Sequence, residues 1–131
     1  MRILVDTQCW LWMSSAPERF SDSTRATIED TDNELYLSAA SAWEIVFNHA
    51  LGKLRLPEPP ERYVTARLAA LKTLPLAVEY GHALHVATLP LHHRDPIDRL
   101  LIAQAQIEHL LILTADPWFD RYDVTTIRPV P

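Results

Sequence analysis

Five short runs of strand length, RILV (2–5), ELYLS (34–38), LPLAV (74–78), LLILT (110–114) and DVTTI (123–127), are separated by stretches of helical composition. This alternation restricts the fold more than any other feature. Strands that alternate with helices predict an α/β domain with a central, mainly parallel sheet flanked by α-helices on both faces. The helices are expected in QCWLWMSS, capped by Thr7, in SDSTRATIED (21–30), and in AASAWEIVFNHAL, which Gly52 closes. Further helices are expected in RYVTARLAALK (62–72), after the proline-rich LPEPPE (56–61), and in EYGHALHVATL. A last, largely buried helix starts within RDPIDRLLIAQA (94–105) and runs to about His109. With 131 residues the chain has the length of one domain, spanning 1–131, with a core of its own. No internal repeat or low-complexity tract interrupts it.

Sheets of this kind place their ligands outside the carboxyl ends of the strands. Asp6 follows the first strand directly and Asp116 follows LLILT by two residues. Glu44 lies about two turns into the helix after the second strand, among Trp43, Ile45, Val46 and Phe47, neighbours that argue against casual exposure. Asp98 lies in the first turn of the helix before LLILT. Each acid has an ordinary alternative. Asp6 can start a turn, Asp116-Pro117 can cap a helix, Glu44 can pair with a buried Arg, and Asp98 can complete a cap begun by Asp95. Convergence weighs against these readings taken singly. Four carboxylates at one sheet edge repel one another unless protonated or bound to a cation. Mg²⁺ and Mn²⁺ prefer oxygen ligands, and phosphodiester hydrolysis is the reaction such a site suits.

Composition narrows the rest. The chain is 48% apolar and 22% charged, which is globular rather than disordered. Its net charge of −5 argues against a general nucleic-acid coat, although acids gathered at a metal site contribute to that balance. Cys9 is the single cysteine, which excludes an internal disulfide and reads as a small buried residue rather than a nucleophile. No apolar run reaches membrane-span length and Met1-Arg2 leads into a strand rather than a signal sequence, so no membrane association and a cytoplasmic location are expected.

The segments ILVDTQCWLW, SAASAWEIVFNHALGKL, HHRDPIDRLLIAQA and LILTADPWF together resemble, in order and spacing, the motifs of PIN-domain ribonucleases, VapC-type toxins of bacterial toxin–antitoxin pairs above all. The resemblance spans essentially the whole chain and implies a single PIN-like domain. It implies a catalytic, metal-holding quartet of Asp6, Glu44, Asp98 and Asp116. Asp6 and Asp98 match the acids most directly tied to the metal, and Asp116 matches the most variable member. It further implies an Mg²⁺- or Mn²⁺-dependent endoribonuclease that hydrolyses RNA with an activated water, forms homodimers, and is inhibited by a small VapB-type antitoxin. Glu44 is expected to orient or deprotonate the water. On this reading Asp98 is a ligand and Asp95 the cap that aims its helix, with Thr7 and Thr114 as supporting hydroxyls. Two positions depart from the pattern. Gln8 stands where relatives often carry His, and Asn48 replaces a frequent basic residue, leaving Lys53, Arg94 and Arg99 as candidate phosphate contacts.

Other features carry less. The pairs His82/His85 and His92/His93 lack the spacing of a zinc motif, and neither G-x-S-x-G nor a P-loop occurs. Of Trp10 and Trp12, on opposite helix faces, one is expected in the core. An aspartyl-phosphate phosphatase also places an Asp after its first strand, but needs a second acid where Gln8 stands. An inactive PIN-like interaction domain is the non-enzymatic alternative, and the four retained acids argue against it.

Overall fold

The computed structural model describes residues 1–131. Strands β1 (Arg2–Val5), β2 (Glu34–Ser38), β3 (Thr73–Leu76), β4 (Leu111–Leu113) and β5 (Thr126–Ile127) form one sheet in the order β3-β2-β1-β4-β5. All four pairings are parallel. Between them run α1 (Thr7–Ser15), α2 (Asp22–Glu29), α3 (Ala39–Ala50), α4 (Pro60–Ala70), α5 (Tyr80–His85) and α6 (Pro96–Glu108), with 3₁₀ turns at Pro17–Arg19, Val86–Thr88 and Pro117–Arg121. No helix is long and apolar enough to cross a membrane.

The strands read as apolar runs because the sheet is covered on both faces. Successive side chains point to opposite sides. Ile3, Val5, Leu35, Leu37 and Leu113 pack on one face with Trp10, Ile45, Tyr63 and Val64. Leu4 and Ile112 pack on the other with Leu101, Ile102, Ala103, Ala105 and Phe119. β3 is an edge strand, where Pro75, lacking a donor, is tolerated. Gly52, at φ 73°, follows the α3 cap as its sequence position implies.

Three readings are corrected. Asp6, not Thr7, caps α1, its side chain accepting from the Cys9 N–H, because Asp6 is the last extended residue and Thr7 is already helical. Pro60 and Glu61 open α4 instead of belonging to the connection, since proline suits the first helical turn. EYGHALHVATL divides into α5 and a 3₁₀ turn. Of the two tryptophans, Trp10 is buried and donates its indole N–H to Thr73 Oγ1 at 3.0 Å. Trp12 is half-buried beneath the Arg19 guanidinium.

Ile102 is fully buried between α6 and the sheet. Ile102→Ala is expected to lower stability by about 2–5 kcal/mol, read from the midpoint of urea unfolding at unchanged slope.

Candidate metal centre

The strand order reverses at β1. The chain builds outward through β2 and β3, then crosses back to lay β4 on the other side of β1. Such a switch point opens a crevice beyond the carboxyl ends of the two strands. Asp6 stands at the end of β1, Thr114 directly after β4, and Asp116 two residues further. α3 starts as soon as β2 ends and carries Glu44, while the first turn of α6 carries Asp98. All four acids line one cleft of about 550 Å³, together with Asp95, Thr7, Gln8, Asn48 and Lys53. A separate apolar groove of about 460 Å³, bordered by Phe20, Ile28, Leu35 and Leu71, contains none of the quartet.

Local hydrogen bonds aim these side chains. Asp6 Oδ1 accepts from the Cys9 N–H at 2.7 Å. Asp116 Oδ1 accepts from the Trp118 N–H at 3.0 Å, and the Asp116 N–H donates to Thr114 Oγ1 at 3.0 Å. Asp95 caps α6 by accepting from the Asp98 N–H at 3.0 Å, which leaves the Asp98 carboxylate free to face the cleft. Thr7 donates to Ser41 Oγ at 2.9 Å and thereby ties α1 to α3 beside Glu44.

Three of the four carboxyls hold their protons more tightly than an ordinary acid. Burial is the main cause at Asp6, against hydrogen bonds from Thr114 and Cys9, and the Asp116 charge adds to it. Burial also raises Glu44, with the neighbouring Thr7 hydroxyl opposing the shift and Asp95 and Asp6 reinforcing it. Asp98 is pushed up to about 7, by burial first, with Asp95 and Asp6 adding and the His93 hydrogen bond opposing. No Lys or Arg relieves them. The ion pairs of the protein are His82–Glu108, His93–Asp98, His93–Asp116 and Arg128–Asp120, so Glu44 has no buried Arg partner. Buried carboxylates without a fixed cation are the donor set that a hard dication fits.

The neighbouring cations separate cleanly. Lys53 is the one cationic side chain lining the cleft. Arg94 is exposed and lies outside the lining. Arg99, expected as a phosphate contact, is corrected: it is 8% exposed. Its terminal guanidinium nitrogens donate to the carbonyls of Pro90, His93, Val86 and Leu89 and to the Tyr122 hydroxyl, and the side chain does not line the cleft. Burial likewise raises the Cys9 thiol, with the Asp6 charge reinforcing it, and keeps it inert.

His93 is the site residue that sequence reasoning missed. Its Nε2 lies 2.8 Å from Asp98 Oδ2 and 3.7 Å from Asp116 Oδ2. It precedes the α6 cap by two residues, in a segment with no periodicity. The only signal in the sequence is a histidine within reach of a capped acidic helix start.

Fold and site together define an α/β domain with a carboxylate-lined, cation-seeking cleft at the switch point of a parallel sheet. The chain belongs to the PIN domain family, whose model matches residues 3–124. It is 48% identical over 64 residues to ribonuclease VapC16 of Mycobacterium tuberculosis (strain ATCC 25618 / H37Rv), a match covering 49% of this chain and 45% of that protein. The matched stretch is thus under half of that relative. Among solved structures it superposes on VapBC2 from Rickettsia felis bound to a promoter DNA fragment (TM-score 0.73, 14% identity, 98% of both chains). It also superposes on DNA-bound VapBC from Salmonella typhimurium (TM-score 0.71, 16% identity, 98% of both chains). At these identities the likeness is one of fold.

The raised Asp98 carboxyl sets a pH dependence. In the unfolded chain it titrates near its ordinary value of 3.8, so between there and about 7 the folded state binds the extra proton. Its contribution to stability is present at low pH and is lost as pH rises through that window. In metal-free buffer, Asp98→Asn is expected to gain in Tm relative to the parent protein as pH rises from ~5 to ~8. A gap that stays constant across that range would contradict the shift.

Proposed function

We propose that the chain is a metal-dependent endoribonuclease, the toxin of a type II toxin–antitoxin module. The observation that carries this reading is the cleft itself. Four carboxylates from the end of β1, α3, α6 and the turn after β4 meet in one cleft with no Lys or Arg ion-paired to any of them, in a chain of the PIN family that matches a named ribonuclease over about half its length. Asp6, Asp98, Asp116 and Glu44 would hold Mg²⁺ or Mn²⁺. When bound, such an ion supplies Lewis acidity toward a phosphoryl oxygen and lowers the pKa of water in its reach.

The chain's own groups do the rest. Glu44, made more basic by burial and steadied by Thr7, takes the proton from the attacking water. Thr114 bridges two of the acids, its hydroxyl bonding to the Asp6 carboxylate and accepting from the Asp116 N–H. Asp95 acts as the cap that aims Asp98. Lys53 meets a substrate phosphate from the cleft wall. The protein works in the cytoplasm as one domain spanning 1–131, and its partners are RNA and a small VapB-type antitoxin. A second copy of the chain completes the list, seated on the exposed apolar face of α3, where Trp43 and Phe47 stack at 5.1 Å beside Val46 and Leu51.

Two experiments test this. Purified antitoxin-free protein incubated with a mixed RNA pool is expected to give discrete internal cleavage with Mg²⁺ or Mn²⁺ and none with chelator. Asp98→Asn and Glu44→Gln are expected to lower the rate roughly 100-fold or more, since each removes a group worth several kcal/mol in the transition state. Full activity in Asp98→Asn would sink the assignment. For the dimer, Phe47→Asp is expected to convert the species seen by light scattering to monomer at unchanged helical content.

A further inference from the structure

We propose that His93 Nε2 is a direct ligand of the cation, and that the site therefore takes a first-row transition-metal dication, with Mn²⁺ as the probe, in preference to Mg²⁺. The inference rests on the metal reading above and specifies the ion. One nitrogen and one oxygen from each of two carboxylates, those of His93, Asp98 and Asp116, all lie within 4.8 Å of one another. Ligand bonds of about 2.0–2.2 Å place adjacent donors about 3 Å apart and opposite donors about 4 Å apart. The separations of 2.8 and 3.7 Å from Nε2 to the two Asp oxygens fall in that range. This compact group contains two of the four quartet acids and brings in a residue the quartet omits.

The ring is built in place. It stacks on Trp118 with centroids 5.6 Å apart and planes 4° apart. Its backbone N–H donates to the Tyr122 hydroxyl at 2.8 Å, and its carbonyl accepts from the buried Arg99. Trp118 belongs to the 3₁₀ turn that Asp116 caps, so one short turn sets both a carboxylate and the ring facing it. The side chain is 15% exposed, unlike a mobile surface histidine. Mg²⁺ takes oxygen ligands and keeps its waters, whereas imidazole binds transition ions through nitrogen. Coordination uses the neutral ring in the tautomer that carries its one proton on Nδ1 and leaves the Nε2 lone pair for the metal.

The test uses the full chain and the metal alone. Mn²⁺ and Mg²⁺ are titrated calorimetrically into the parent protein, His93→Gln, His93→Ala and Asp98→Asn, and bound Mn²⁺ is examined by pulsed EPR for coupling to a ¹⁴N nucleus. Melting curves of both His93 variants establish that they fold. Expected are a ¹⁴N coupling in the parent that both variants lose, and a Mn²⁺ Kd raised at least about 10–100-fold with Mg²⁺ affinity nearly unchanged. Mn²⁺ bound without nitrogen coupling, or equally well by His93→Gln, would overturn the inference. If Asp98→Asn alone then lost Mn²⁺, the metal-dependent reading would stand while this one fell. Absence of Mn²⁺ binding in the parent would overturn both.

Discussion

Uncompensated negative charge at the β1–β4 seam is the constraint on which the rest of the structure depends. Asp6 is almost wholly buried, and Glu44 and Asp98 partly so, with burial the first cause of each raised pKa. Self-repulsion and desolvation both oppose holding these groups together as anions. The fold offsets part of that cost with backbone donors, fixed by the sheet and helices, that hold Asp6, Asp95 and Asp116. A hydrogen bond from a backbone N–H stabilises a carboxylate without neutralising it. The charge therefore remains available to a cation from outside.

That arrangement resolves the tension between capping and ligation at the Asp-Pro steps. Asp95 and Asp98 divide the two roles between two residues, Asp95 accepting the N–H of Asp98. On the proposed reading, Asp6 and Asp116 combine them within one side chain. In each, Oδ1 caps the following helix or 3₁₀ turn, and Oδ2 of Asp116 faces His93. A carboxylate has lone pairs enough for both tasks. Capping preference and site chemistry thus select the same residue type at the same place, which is why the sequence pattern alone left both readings open.

Elements defined by burial were legible in the sequence, and those defined by long-range partners were not. RILV and LLILT announce central parallel strands because Ile3, Leu4, Val5, Ile112 and Leu113 are buried on alternating faces. The chain order of strands, with the switch-point rule, was enough to send Asp6 and Asp116 to one edge. The environment of Glu44 was misjudged. Of its apolar neighbours only Ile45 is buried, while Trp43, Val46 and Phe47 are 57%, 45% and 47% exposed, so the cleft and not the core covers the carboxyl. Arg99 resembled a surface cation because nothing local reveals that Val86, Leu89, Pro90 and His93 will turn their carbonyls toward it. His93 was missed for the same reason: its stacking and hydroxyl partners, Trp118 and Tyr122, lie about 25 to 29 residues away in the chain.

Arg99 shows how the second face of the sheet serves the first. A buried guanidinium with no carboxylate in reach carries a desolvation cost, here offset by four carbonyls and one hydroxyl. Those acceptors belong to the segment from Val86 to His93 and to Tyr122. Tyr122 in turn donates to the Pro90 carbonyl at 2.9 Å and accepts the His93 N–H. The segment before α6, the start of α6 and the end of the Pro117–Arg121 turn are therefore joined through one polar node embedded in the apolar cluster of Leu89, Phe119 and Tyr122. A network with its donors satisfied is stiff, whereas one left partly unpaired is costly. The node lies one residue beyond Asp98, so its rigidity passes directly to the carboxylate and to the imidazole that faces it. The positive charge does its work beneath the site, by fixing where the negative charges stand.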